Sequence, residues 1–168
     1  EVDALLDYQG GLEAYQRGQV WRVPVTEHFR WNLEQMVVAC QQAKVPVVLV
    51  GPVVNLVDCP PFKMELAPEL TPAERDAFEG LWERGKSAED RETAVQCLEQ
   101  ARDIDPQHAG VNFLLGQLHY ALGDYHLAKQ RLVDAKDFDV CPLRATTAIQ
   151  RQVAEEAQVW DVPYLDAD

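Results

Sequence analysis

Apolar residues recur along this chain in two rhythms. Phe29, Leu33, Met36, Val37 and Cys40 fall on one face of a helix and predict one over 26–43. Val45-Pro46 follows, and then Val47-Val48-Leu49-Val50, an apolar run without alternation. Such a run predicts a strand over 46–50 buried on both faces, as in a parallel sheet. The same grammar returns at the end of the chain. Ala145, Ile149, Val153 and Ala157 mark a helix over 142–158, and Val162-Pro163-Tyr164-Leu165 a strand over 162–165. Helix, Val-Pro, short strand, twice over, implies an α/β layer and not a bundle. The chain thus divides into a first α/β part at 1–66, a helical region at 71–139 and a second α/β part at 142–168.

The helical region opens on Thr71-Pro72-Ala73-Glu74, a cap, a first-turn proline and a glutamate placed to close a capping box. It then repeats itself. Leu81 matches Leu115, Ala94 matches Ala128, Leu98 matches Leu132 and Ala101 matches Ala135, each pair offset by 34 positions. That is the period of a tetratricopeptide repeat. Ala94 and Ala128 suit a close helix crossing, and Asp105-Pro106 ends one helix and begins the next turn. The second unit, AGVNFLLGQLHYALGDYHLAKQRLVDAKDFD, resembles the tetratricopeptide consensus through Leu115-Gly116, Leu122-Gly123-Asp124-Tyr125, Ala128 and Ala135. Asn112 stands there in place of the usual Trp, and Val140 in place of the closing Pro. The first unit is degenerate in its first helix, where Trp82 occupies the small-residue position.

The resemblance implies that the first helix of each unit lines a concave groove for a protein or peptide. Asp76, Glu79, Glu83 and Lys86 would come from the first unit, and Phe113, Gln117 and Tyr120 from the second. That groove, acidic with an apolar floor, suits a basic or aromatic segment. It lacks the Lys/Asn clamp for a C-terminal carboxylate. Two units are fewer than the roughly three of a self-supporting stack, so packing of the repeats on the α/β parts is the competing reading.

Charge and composition narrow the choices. A net charge of -13 excludes binding to a phosphate backbone. No run approaches the ~20 apolar residues of a membrane span. The opening EVDALLDYQGG has neither a basic region nor a long apolar one, so a signal peptide is not expected, and the missing initiator Met suggests an excised piece. Cys40 and Cys97 sit on apolar helix faces. Cys59 and Cys141 each precede a proline, and two buried thiols are favoured there over a disulfide. Neither the cysteines nor His28, His108, His119 and His126 show metal-ligand spacing, so no metal or cofactor is expected. Trp31, Trp82 and Trp160 read as packing residues.

Taken together, HFRWNLEQMV, VPVVLVGPVVNLVDCPPFK, the two repeats, DVCPLRATTAI and VPYLDAD resemble the later half of bacterial SGNH (GDSL-type) hydrolases carrying inserted tetratricopeptide repeats. The resemblance implies a mixed α/β fold: a partial flavodoxin-like parallel element interrupted by an all-α repeat region. Members of that family take a nucleophile from Gly-Asp-Ser and a base from Asp-x-x-His. Neither motif occurs here, and Ser87 is the only serine, so no catalytic residue is carried over. Asn55, Asp58 and Cys59, with Gly51 and Pro52, lie where a parallel sheet gathers ligands; local turn bonds by Asn55 and Asp58 are the favoured alternative. The expected function is a non-catalytic interaction and scaffold segment of a larger hydrolase. The alternative is an esterase, carbohydrate-directed or otherwise, whose motifs lie outside the chain. Partners would be a protein or peptide in the groove, the rest of the parent hydrolase, or a second copy paired through sheet edges. The sequence names no compartment, although related hydrolases are often exported or membrane-anchored.

Overall fold

The computed structural model describes residues 11–18 and 22–167. After a 3-10 turn at Gly11–Ala14 come α1 (Arg22–Gln42), β1 (Leu49–Val50), α2 (Pro72–Ser87), α3 (Arg91–Ile104), α4 (Ala109–Leu122), α5 (Tyr125–Phe138), α6 (Thr147–Val159) and β2 (Tyr164–Leu165). No helix among the described residues is long and apolar enough to cross a membrane.

The two strands lie side by side and parallel, Leu49 opposite Tyr164 and Val50 opposite Leu165. Leu49 donates to Pro163 O and Gly51 to Leu165 O, each at 2.9 Å. Beneath them, Leu33 and Val37 of α1 meet Val153 and Ala157 of α6 around Leu49. A proline limits the ladder at one end. Pro163 has no N–H to offer Val47 O, so pairing does not spread toward the strand starts. This corrects the flavodoxin-like expectation. Among the described residues there is a two-stranded ribbon under two helices, not a doubly wound sheet. Val48, Val50 and Leu165 stay more than half exposed, against the expected burial on both faces. The last helix also begins later than its apolar pattern suggested, because 142–146 forms a linker that ends in the Thr146 cap.

Four helices occupy 72–138 as two hairpins, α2/α3 and α4/α5, with α3 packed on α4. Each start is capped. Thr71 and Glu74 form the full capping box on α2, while Asp90, His108 and Asp124 accept from backbone N–H groups of α3, α4 and α5. Gly123 ends α4 with φ at 84°, a left-handed turn that glycine adopts without strain. The period-related pairs Ala94/Ala128, Leu98/Leu132 and Ala101/Ala135 are all buried. A Cβ on Gly116 would stand 2.5 Å from Leu132 Cγ, and one on Gly85 would stand 2.7 Å from Leu98 Cγ. The close-packing glycines are therefore 31 residues apart, not 34. Gly85, and not Trp82, fills the small-residue position of the first hairpin, and the groove-facing positions of α2 move along by three.

Side chains tie the two parts together. Lys136 Nζ, buried on α5, donates to Gln150 Oε1 of α6 at 2.8 Å, and Asp137 Oδ1 accepts from Thr147 N at 2.8 Å. All four cysteines are free thiols, with Cys141 buried and Cys59 half-buried.

Candidate functional site

Between β1 and α2 the chain has no regular structure, yet it follows a defined path over the hairpins. This strap, 52–67, is fixed at both ends of its course. Its later half is held by two carboxylates one repeat period apart. Asp139 accepts from Phe62 N at 2.7 Å, Lys63 N at 3.0 Å and Cys141 N at 3.1 Å. Asp105 accepts from Ala67 N at 3.0 Å and Gln107 N at 3.2 Å, and takes both Nη atoms of Arg17 at 2.5 and 2.7 Å. Each aspartate is 1% exposed. Val140 N donates to Lys63 O at 2.9 Å, and Lys63 Nζ reaches Glu65 and the carbonyls of Leu12 and Tyr15. Buried carboxylates need several donors to stay charged, and here the strap backbone supplies them.

The electrostatics agree with that geometry. Burial works against ionisation of Asp105, but the Arg17 guanidinium and the Ala67 N–H outweigh it and hold the carboxyl below its ordinary range. His108, wedged between Phe78 and Trp82, is pushed down to about 4 by burial, opposed by Asp105 and reinforced by Arg17. Its Nδ1 accepts from Val111 N at 3.2 Å, so the neutral ring serves as the α4 cap. Burial, with Asp139 alongside, raises the Cys141 thiol.

Between the strap and the first helices of the two hairpins lies a cavity of about 550 Å³. Trp82 and Lys86 come from α2, Phe113 and Gln117 from α4, and Pro60, Pro61 and Met64 from the strap. Trp82 and Lys86 stand 31 residues before Phe113 and Gln117, the same offset as the glycines. Gly110 admits the strap: a Cβ there would come within 2.3 Å of Met64 Sδ. Lys86 lies 5.2 Å over the Trp82 ring and bonds Glu83 at 3.0 Å, so its charge at the rim is partly spent.

Of the groove residues expected from sequence, Lys86, Phe113 and Gln117 line this cavity. Asp76, Glu79 and Glu83 are exposed on α2 and lie outside its lining; for Asp76 and Glu83 the three-residue shift accounts for this. Tyr120, 49% exposed, faces a second depression of about 420 Å³ with Tyr125, Leu56 and Val57. Sequence reasoning placed Trp82 in the packing and missed its place in the cavity; the Trp82/Phe113 and Gly85/Gly116 spacings were the available signal. At the expected cleft edge, Asn55 Oδ1 accepts from Asp58 N at 3.0 Å, a local turn bond, and Cys59 is half-buried. Ser87 ends α2 with its Oγ donating to Glu83 O at 2.7 Å. Among the described residues, no three His, Cys, Asp or Glu side chains gather to hold a metal ion.

Residues 87–140 match the tetratricopeptide repeat family. No curated protein and no solved structure matches the chain. The matched span runs from the end of α2 through α5, and in that span both sequence and helical geometry are similar to the tetratricopeptide repeat, a protein-interaction module.

Proposed function

We propose that this chain is a protein-interaction scaffold whose cavity between α2, α4 and the strap takes the apolar anchor of a basic peptide. The observation that carries the reading is the lining itself. A largely apolar cavity with a few polar groups at its rim is the usual form of a recognition site, and about 550 Å³ falls within the ordinary range. Charge points the same way. Glu83 pairs with the one lysine of the rim, Asp76 and Glu79 are exposed on the same helix, and the chain carries -13 overall. Like charges suppress acidic partners and opposite charges speed encounter with basic ones.

Fluorescence anisotropy with a labelled peptide carrying a central Trp-Leu pair between lysines tests this. Saturable binding is expected, weakened about tenfold or more when glutamates replace the lysines or when Trp82 becomes Ala. Equal binding in all three cases would remove the proposal.

A second reading, that the scaffold belongs to a larger SGNH-type hydrolase, draws on the loop and strand wording of the sequence and on the parallel pairing of β1 with β2. Residues 1–66 and 142–168 would then be the parts of the enzyme's own layer that flank the repeats. An esterase parent requires a Gly-Asp-Ser upstream and an Asp-x-x-His downstream in the reading frame. Sequencing beyond both ends decides it, and a frame without those motifs ends this reading.

A further inference from the structure

The first half of the strap lies on a surface that the repeat period marks as a stacking face. In the first hairpin, Leu98 and Ala101 share a core with Val111 and Leu115, the start of the next unit. One period on, Leu132 and Ala135 meet no third unit among the described residues. They and Phe113 are covered by Leu56 and Val57 of the strap. The cover is incomplete. A depression of about 420 Å³ remains beside Leu56 and Val57, rimmed by Tyr120 and Tyr125, whose rings meet at 5.4 Å and are 49% and 64% exposed.

The two halves of the strap are also held differently. In the first half, three carbonyls accept from side chains: Pro52 O from Gln150 at 3.2 Å, Asn55 O from Arg144 at 3.0 Å and Val57 O from Gln117 at 3.2 Å. Two of those donors are neutral amides. In the second half the backbone N–H groups bind the buried carboxylates Asp139 and Asp105, the stronger class of bond.

We propose that Leu56-Val57 is a resident ligand of the α4/α5 stacking face, released as a flap while Phe62 to Ala67 stays clamped. The face is then a second interaction surface, which adjoins the α2/α4 cavity through Phe113 and Gln117. Its partner is an extended apolar segment built like the strap, with two adjacent aliphatic side chains and a carbonyl for Gln117. Such a partner meets a tethered competitor, so its apparent affinity is lowered by the fraction of molecules with the flap closed.

The probe is a labelled peptide of strap residues 53–58 added in trans to the full chain and to the L56S/V57S double variant. Serines leave the strap path intact but remove the resident contacts. The variant is expected to bind the peptide about tenfold more tightly than the unaltered chain, and a peptide carrying the same two serines to bind neither. Hydrogen exchange on the unaltered chain supplies a second readout, with amides of 53–58 exchanging faster than those of 62, 63 and 67. Equal affinity of both chains, or no binding to a variant whose α4 and α5 amides remain protected, overturns the proposal. So does uniform protection along the strap. Because the probe stops short of Pro60, Pro61 and Met64, which line the α2/α4 cavity, these results stand or fall separately from those on that cavity.

Discussion

The repeat hairpins and the layer formed by α1, β1, β2 and α6 bury apolar residues to different depths. In the hairpins, Leu98, Ala101, Val111, Leu115 and Ala135 are wholly enclosed, and Leu98 and Leu132 each pack on a glycine of the preceding helix. In the layer the core is five residues, Leu33, Val37, Leu49, Val153 and Ala157, and the neighbouring Val48, Val50 and Leu165 face outward. A helix hairpin satisfies its own backbone and needs only one covered face. A two-residue parallel pair has open edges and gains little by itself. The hairpins therefore carry the stability, and the layer is held to them by Lys136, Asp137 and the strap.

The largest effect that could break this comparison comes from the link itself. Asp139→Ala leaves three backbone N–H groups without their acceptor, at a cost of about 4 kcal/mol in urea unfolding. A cost below about 1 kcal/mol would mean that water replaces the carboxylate and the strap is not clamped there. Next, Leu98→Ala in the hairpins is expected to cost about 3 kcal/mol. Val37→Ala in the layer removes two methyl groups and is expected to cost about 1.5 kcal/mol. The reverse order would place the main core in the layer.

Acid sharpens the contrast further. His108 titrates near 6.5 when unfolded and at about 4 when folded, driven first by burial. Above pH 6.5 the ring is neutral in both states and contributes no pH dependence. Between 6.5 and about 4 only the unfolded chain takes the proton, so stability falls with pH by about 3 kcal/mol in total. Asp105 has a lowered folded value, so its contribution is present above the ordinary carboxylate range and is lost only as pH falls through the folded one. His108→Asn keeps an acceptor for the α4 cap and flattens the slope between 6.5 and 4. Chemical denaturation at stepped pH measures both chains.

The hairpins were also the legible part of the sequence. Ala94, Leu98 and Ala101 with their counterparts repeat because equivalent contacts demand equivalent volumes, and a linear sequence displays such a period directly. The Thr71 capping box was equally plain, being local. Two features were not. The three-residue shift of α2 depends on which glycine meets Leu98, a choice set by α2 stopping at Ser87, soon after Gly85, where α4 runs on from Gly116 to Leu122. The strap has no period because its contacts are made by backbone groups, so Asp105 and Asp139, though 34 positions apart, did not read as its anchors. In the layer, the apolar run at 47–50 suggested a buried strand, but the ladder stops at Pro163 after two residues and leaves one face bare.

The smallest effect sets one helix cap in each region side by side. Thr71 Oγ1 accepts from Glu74 N at 3.3 Å, and the Glu74 carboxylate returns bonds to Thr71 N at 2.8 Å and Thr71 Oγ1 at 2.7 Å. Thr146 Oγ1 stands 3.5 Å from Ile149 N, at the outer limit of a hydrogen bond, and the neighbouring Thr147 N is already satisfied by Asp137. Thr71→Ala is therefore expected to cost about 1 kcal/mol and Thr146→Ala only about 0.3 kcal/mol. Paired urea curves resolve a gap of that size if the slopes agree. Should Thr146→Ala prove the costlier change, α6 depends on its own cap more than on Asp137, and the layer is less reliant on the hairpins than its thin core implies.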